Sequence, residues 1–397
     1  MDPVERSLLV AASRLNADSA RMQRVQKLAQ RDLNWEALVN QSTIHGTAGI
    51  IYRNLTASGH SVDIPEAELE RLKKIYLMTA AMGLRHLTQL REIAQELTSQ
   101  GIEIIVLKGA VLAERIYGDV GLRPFSDVDI LVREEDWPRI YEVLKKKGCQ
   151  PPPGKDFREV PPKLMKYDVM SHMQWTSPLG TCLEFQFDLL TMGVGMRDIG
   201  GVWDRSRKAE ILGSEVRVLG PEDQLLHLVI HANRHGCARL KWLSDISESL
   251  YQNGHDWDLL VRIAQREGIA ACFHATIAHI QRLYDTRLVP EEVMRRIKPR
   301  FYKEAVWNRI WPQEQLGEFQ GRHEDAICFY FYRPLSGWNL LNFVLTGRVR
   351  DKLVYQLRWI FPSLKWMSVT YGKPRSLALL KYYLWRLAGF AVKRDKH

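Results

Sequence analysis

Apolar positions recur at helical spacing through roughly the first hundred residues. A helix is expected to open after Asn34, a natural N-cap, and to close at Gly46; a second runs through Ile50, Ile51 and Leu55. Residues 65–99 carry a long amphipathic pattern through Leu69, Leu72, Ile75, Leu77, Met82, Leu87, Leu90, Ile93 and Leu97. The period then changes. Ile102, Ile104, Ile105, Val106 and Leu107 form a short, largely β-branched run that suits a buried strand, ended by Lys108-Gly109. Residues 110–117 return to helical spacing with Val111, Leu112 and Ile116 on one side, and Gly118, Gly121 and Pro124 break it. Residues 127–132, DVDILV, resume strand.

Beyond this strand the pattern predicts a helix over 134–148 with Trp137, Ile140, Tyr141 and Leu144 inward. A proline-dense, basic loop over 150–163 follows, either an insertion or a cover over a site. Residues 170–175 and 181–190 read as an antiparallel pair turned through Ser177-Pro178-Leu179-Gly180, with Leu183, Phe185, Phe187 and Leu189 alternating with Glu184, Gln186 and Asp188. A hairpin is expected around Gly213-Ser214, and a helix from Pro221, with acids in its first turn. Two stretches echo one another at an offset of 222: Trp35 and Trp257, Glu36 and Asp258, Leu38 and Leu260, Val39 and Val261, Gly46 and Gly268. The expected organisation is a helical region over 1–100, an α/β core over 101–220, a helical domain over 221–330, and a last region over 331–397.

Composition changes this picture at one end. The net charge is +10, yet residues 331–397 hold 13 basic and 2 acidic residues, so the rest of the chain is nearly neutral. The same segment holds 13 aromatics, and 376–392 (SLALLKYYLWRLAGFAV) is a mostly apolar helix candidate. Such a tail suits packing on the core, peripheral contact with an anionic membrane surface, or an RNA held through phosphate and stacking. No run reads as a secretory signal or a membrane span. The five scattered cysteines include no CxxC, which fits a reducing cytoplasm and argues against a cysteine zinc site.

The chemistry concentrates in 107–132. Alternation puts Asp127 and Asp129 on one face of a strand, where two adjacent carboxylates repel one another unless a divalent cation neutralises both. Lys108-Gly109, Tyr117, Leu122-Arg123-Pro124 and Asp127/Asp129 stand in the order LKG, Tyr, LRP, DxD. In this the stretch resembles the uncharacterised nucleotidyltransferases, a branch of the polymerase-β-like nucleotidyltransferase superfamily. The superfamily's glycine-serine pair is Gly109-Ala110 here.

The resemblance implies an α+β fold: a polymerase-β-like core of mixed sheet and helices, flanked by helical regions. It implies transfer of an NMP from an NTP to a small molecule, protein or RNA, with pyrophosphate released. Asp127, Asp129 and a third acid from a neighbouring strand would hold Mg²⁺ or Mn²⁺; Glu184 matches the branch's acid, with Gln186 in place of its histidine, and Asp188 competes. Lys108, Gly109, Ala110 and Arg123 would meet the nucleotide phosphates. The branch also has a histidine helix followed by a basic residue and an aspartate, which brings in Lys241, Asp245 and His231. His227, His231 and His235 share one helix face and suit either two zinc ligands or core packing. Two other uses of the same fold are a catalytically silent nucleotide- or partner-binding module and a kinase-like phosphotransferase. No base-reading motif names the nucleotide, and nothing in the chain names the oligomeric state.

Overall fold

A computed structural model describes residues 1–15, 19–56, 64–152, 173–190, 196–235, 237–252 and 254–301, with single positions beyond. Most of the 150–163 loop and nearly all of 331–397 therefore lie outside the described residues, and with them the expected tail helix and its membrane or RNA contact. No helix among the described residues is long and apolar enough to cross a membrane.

Among the described residues the fold is α+β, with a mixed six-stranded sheet between helices, as the resemblance implies. Four helices come first: α1 (Pro3–Ala12), α2 (Ser19–Ala29), α3 (Trp35–His45) and α4 (Ala48–Thr56). Asn34 caps α3 by accepting the Ala37 N–H at 2.9 Å, and Gly46 ends it at φ 70°. The echoed helix is built alike. It spans Trp257–Arg266, Asp256 accepts the Leu259 N–H at 2.8 Å, and Gly268 follows at φ 74°.

The long helix α5 (Glu66–Ser99) buries Leu87, Leu90, Ile93, Ala94 and Leu97 against the sheet. Its middle departs from the expected stripe. Leu77 and Met82, placed inward by periodicity, are 55% and 44% exposed. Gly83 and His86, outside the expected stripe, are buried there instead.

The strands are β1 (Ile105–Val106), β2 (Asp127–Leu131), β3 (Met173–Thr176), β4 (Cys182–Gln186), β5 (Arg207–Ile211) and β6 (Ser214–Val218), in spatial order β3-β4-β2-β1-β6-β5. β2 runs antiparallel to β1 and parallel to β4; β3–β4 and β5–β6 are antiparallel pairs. Between β1 and β2 lie α6 (Lys108–Val111) and a π-helical turn, Leu112–Ile116, which stand where one continuous helix was expected. The helix α7 (Trp137–Lys146) follows β2 and α8 (Ile199–Arg205) follows β4. The chain then continues through α9 (Pro221–Arg234), α10 (Leu240–Tyr251), α11 (Trp257–Arg266), α12 (Ala270–Leu283) and α13 (Glu291–Arg296).

Period-2 alternation divides the sheet between two cores. Val106, Val128, Ile130, Leu183, Phe185, Val216 and Val218 pack with α5 and α7. Ile105, Leu107 and Leu131 pack on the other side with α9, α10 and the helices after them. Asp127 and Asp129 share the parity of Leu131, so the carboxylates lie on the face turned toward α9 and α10. A third core holds the first helices together and takes in Leu240 of α10. Arg14 and Glu248, both fully buried and 2.7 Å apart, tie the N-terminal helices to α10.

Candidate active site

The site begins with β2. Parallel pairing with β4 sets Asp129 directly across from Glu184, and Asp127 across from Cys182. Side chains paired in this way point to the same face, so two carboxylates of β2 and one of β4 share one face of the sheet. Asp129 is 4% exposed and Glu184 9%. Burial, and after it the neighbouring Asp129, raise the Asp127 pKa against the pull of Lys108, Lys241 and Arg123. Burial, then Asp129 and Asp127, lift Glu184 from 4.5 to about 7. The cluster has more negative charge than its surroundings solvate.

Two side chains hold it. Lys108 Nζ lies 2.8 Å from Asp129 Oδ1. Gln174, across from Glu184 on the β3 side, donates its Nε2–H to Glu184 Oε1 at 2.8 Å. Gln174 was not in the motif-based set. Its signal was available in the hairpin, since a polar residue at an alternating position of β3 must face the same way as its β4 partner. Gln186, two residues beyond Glu184, is also buried, and its Nε2 has no hydrogen-bond partner among the described residues.

A glycine after β1 permits either a positive φ or close approach of the backbone to a ligand. Lys108, not Gly109, has the left-handed backbone, at φ 43°. Gly109 is a glycine because of its neighbours: a Cβ there would stand 2.7 Å from Phe125 Cβ and 2.9 Å from Arg123 Nη1. The close approach at this position comes from the protein's own LRP loop. Ala110 is fully buried in the α5-side core.

Arg123 is likewise committed. Its Nε and Nη2 donate to Asp245 Oδ1 and Oδ2 at 3.2 and 2.7 Å, and the Tyr117 hydroxyl donates to the same Oδ1 at 2.9 Å. All three are buried, so the Arg123 charge is neutralised before any phosphate arrives. Tyr117, Arg123 and Asp245 form a lock between the 117–124 segment and α10. Lys241, one turn before Asp245, donates to the Pro124 carbonyl at 3.3 Å. Burial, then Arg123 and Arg239, lower its pKa to about 7, while Asp245 and Asp127 act in the opposite sense.

The remaining candidates separate from the cluster. Asp188 lies past the end of β4 and accepts the Leu190 and Met196 N–H groups at 2.9–3.0 Å, which makes it a turn-stabilising residue. His231 and His235 pack around Trp242, with ring centroids 4.7 Å from one another and 5.6 and 4.9 Å from the indole.

Among the described residues no three histidine, cysteine, aspartate or glutamate side chains converge closely enough to hold a metal ion as placed. The donor set nonetheless fits a hard divalent cation in kind. Asp127, Asp129 and Glu184 offer carboxylate oxygens on one face, and burial, with the neighbouring carboxylates after it, has pushed Asp127 and Glu184 toward protonation. The Lys108 ammonium supplies the countercharge that a cation would bring.

A family model described as uncharacterised nucleotidyltransferase matches residues 31–312, well over half of the chain. The chain belongs to the uncharacterised nucleotidyltransferase family. The match takes in the sheet, the carboxylate cluster, the Arg123–Asp245 lock and the histidine helix, and it stops before the basic tail. A crystal structure of an antigenic nucleotidyltransferase-like protein from Paracoccidioides brasiliensis aligns over 48% of this chain and 92% of that one, at 16% identity and a TM-score of 0.29. No curated protein matches the chain.

Proposed function

We propose that this member of the family is a metal-dependent nucleotidyltransferase, moving an NMP from an NTP to an acceptor hydroxyl or similar nucleophile with release of pyrophosphate. The observation that carries the reading is the β2–β4 register, which sets Glu184 across from Asp129 on the face that also bears Asp127. Asp127, Asp129 and Glu184 would hold Mg²⁺ or Mn²⁺, which would supply charge neutralisation at the α-phosphate and the leaving pyrophosphate.

The chain's own residues then have distinct tasks. Lys108 exchanges its contact with Asp129 for a phosphate oxygen, carrying its charge from the carboxylates to the nucleotide. Lys241, near the midpoint of its titration at neutral pH, takes up a proton when an anion reaches it. Arg123 acts by holding the loop that carries Lys241's carbonyl partner and leads into β2, rather than as a phosphate ligand. Gln174 orients Glu184.

The test is incubation of the purified protein with Mg²⁺ or Mn²⁺, each α-labelled NTP and host lysate fractions, beside Asp127→Asn and Asp129→Asn variants. Label passing to protein, RNA or small molecule with pyrophosphate release, and lost in both variants, is the expected result. Transfer of a γ-label with release of nucleoside diphosphate would instead make the chain a phosphotransferase. Nucleotide binding without turnover across all fractions would make it a binding module.

A further inference from the structure

The junction of α3 and α4 lies well before the carboxylate strands in sequence, yet it touches the helix that carries Lys241. The Leu240 N–H donates to His45 Nδ1 at 3.3 Å, so the last residue of α3 satisfies a donor in the first turn of α10. Gly46 follows at φ 70°. A Cβ on it would stand 2.7 Å from Lys241 Cδ and 3.4 Å from Lys241 Cγ and Pro124 Cγ. The Lys241 stem therefore crosses directly over Gly46, and its Nζ goes on to the Pro124 carbonyl at 3.3 Å. Gly49, in the first turn of α4, meets the same loop earlier in its course: a Cβ there would lie 2.2 Å from Gly121 O and 3.1 Å from Leu122 Cα. The junction thus holds both the lysine and the loop whose carbonyl the lysine meets. That loop runs into β2, and α10 packs on the sheet face that bears the carboxylates. Ending α3 does not by itself require glycine. An asparagine tolerates the left-handed backbone at this position, but it leaves no room for the lysine.

We propose that the α3–α4 junction belongs to the active site as the support that aims Lys241. Gly46, by leaving space for the stem, and His45, by fixing the start of α10, are positioning residues. They hold the Lys241 ammonium at the loop leading into β2, where it receives a phosphate of the substrate. Receipt of the phosphate rests on the proposed function; the hold of α3 on Lys241 does not. The stem is the flexible partner in this contact, so a side chain added at Gly46 displaces the lysine and not the helix. The ammonium then leaves the surroundings that perturb it: burial first, then Arg123 and Arg239, which lower its pKa to about 7, with Asp245 and Asp127 acting to raise it.

The hold is measured by pulse acetylation of the full chain with acetic anhydride over a pH series, with Lys241 read by mass spectrometry. Wild type is compared with Gly46→Asn and Gly46→Ala. The pH of half-reaction at Lys241 should lie near 7 in the wild type and move toward the ordinary lysine value of 10.5 in both variants. A Lys241 profile unchanged in both would overturn the proposal. Should neither glycine variant fold, H45A and H45N take their place. H45A should shift the profile, and H45N, which keeps an acceptor near the Nδ1 position, should not; identical profiles in the two would overturn the role of α3. The second arm is calorimetric titration with tripolyphosphate and Mg²⁺. K241A should weaken binding by about 10–100-fold. G46N should weaken it when Lys241 is present and cause no further loss in K241A. Equal losses from G46N in the two backgrounds would show that Gly46 does not act through Lys241 and would overturn the proposal. A wild type that binds no tripolyphosphate would refute the phosphate reading of Lys241, while a shifted acetylation profile in G46N would still establish the hold of α3, so the two failures are read separately.

Discussion

Replacing Glu184 by glutamine should stabilise the metal-free protein, by an amount that depends on pH. Burial and two neighbouring carboxylates hold the Glu184 pKa at about 7 instead of 4.5. The folded protein therefore keeps this proton over a range in which the unfolded chain has released it. Stability falls as pH rises from 4.5 toward 7 and then levels. At about 1.4 kcal/mol for each tenfold difference in proton affinity, the displacement amounts to roughly 3 kcal/mol once the group is ionised in the fold. Glutamine has no proton to lose, and its amide oxygen still accepts the Gln174 N–H that Glu184 Oε1 accepts in the wild type. Urea unfolding in EDTA should thus show the two proteins within about 1 kcal/mol at pH 5 and the variant ahead by up to about 3 kcal/mol at pH 8. Saturating Mn²⁺ should reverse the order at pH 8, because a bound cation stabilises only the protein that retains the carboxylate. A gap that does not change with pH, or a variant that is weaker at pH 8 without metal, would refute the claim that Glu184 sits in excess negative charge.

Three further outcomes follow from the same geometry. Lys108→Met removes a charge that lowers the pKa of both Asp127 and Glu184, so the pH at which Mn²⁺ binding is half-developed should move upward; a titration followed at several pH values checks it. Asp245→Ala strands the buried Arg123 guanidinium and the Tyr117 hydroxyl, which should cost about 3–5 kcal/mol in urea unfolding, and a loss below about 1 kcal/mol would mean that the lock is open in solution. Gly109→Ala drives a methyl to 2.7 Å from Phe125 Cβ, so it should destabilise by about 1–3 kcal/mol; an alanine variant of wild-type stability would show that the LRP loop yields freely.

Local periodicity was enough for what is local. The alternation of Asp127, Val128, Asp129 and Ile130 already put both aspartates on one face, and the Ser177–Gly180 turn joined β3 to β4. Asn34 announced its helix start because a cap acts within three residues. The family, too, was legible, since LKG, LRP and DxD occur in a fixed order along the chain.

Where partners lie far apart in sequence, only the folded chain brings them together. Glu184 and Asp188 alternate identically on paper. The β2–β4 register sets Glu184 across from Asp129, while Asp188 lies past the strand in a turn. Arg123 read as a phosphate ligand until α10 brought Asp245 to it across 122 positions. Gly109 read as a ligand-approach glycine until the Arg123 and Phe125 side chains filled the space above it. Spacing along the chain encodes which face a residue takes, because backbone geometry repeats over two or 3.6 residues. It does not encode which distant charge will neutralise it, because that depends on how whole elements pack.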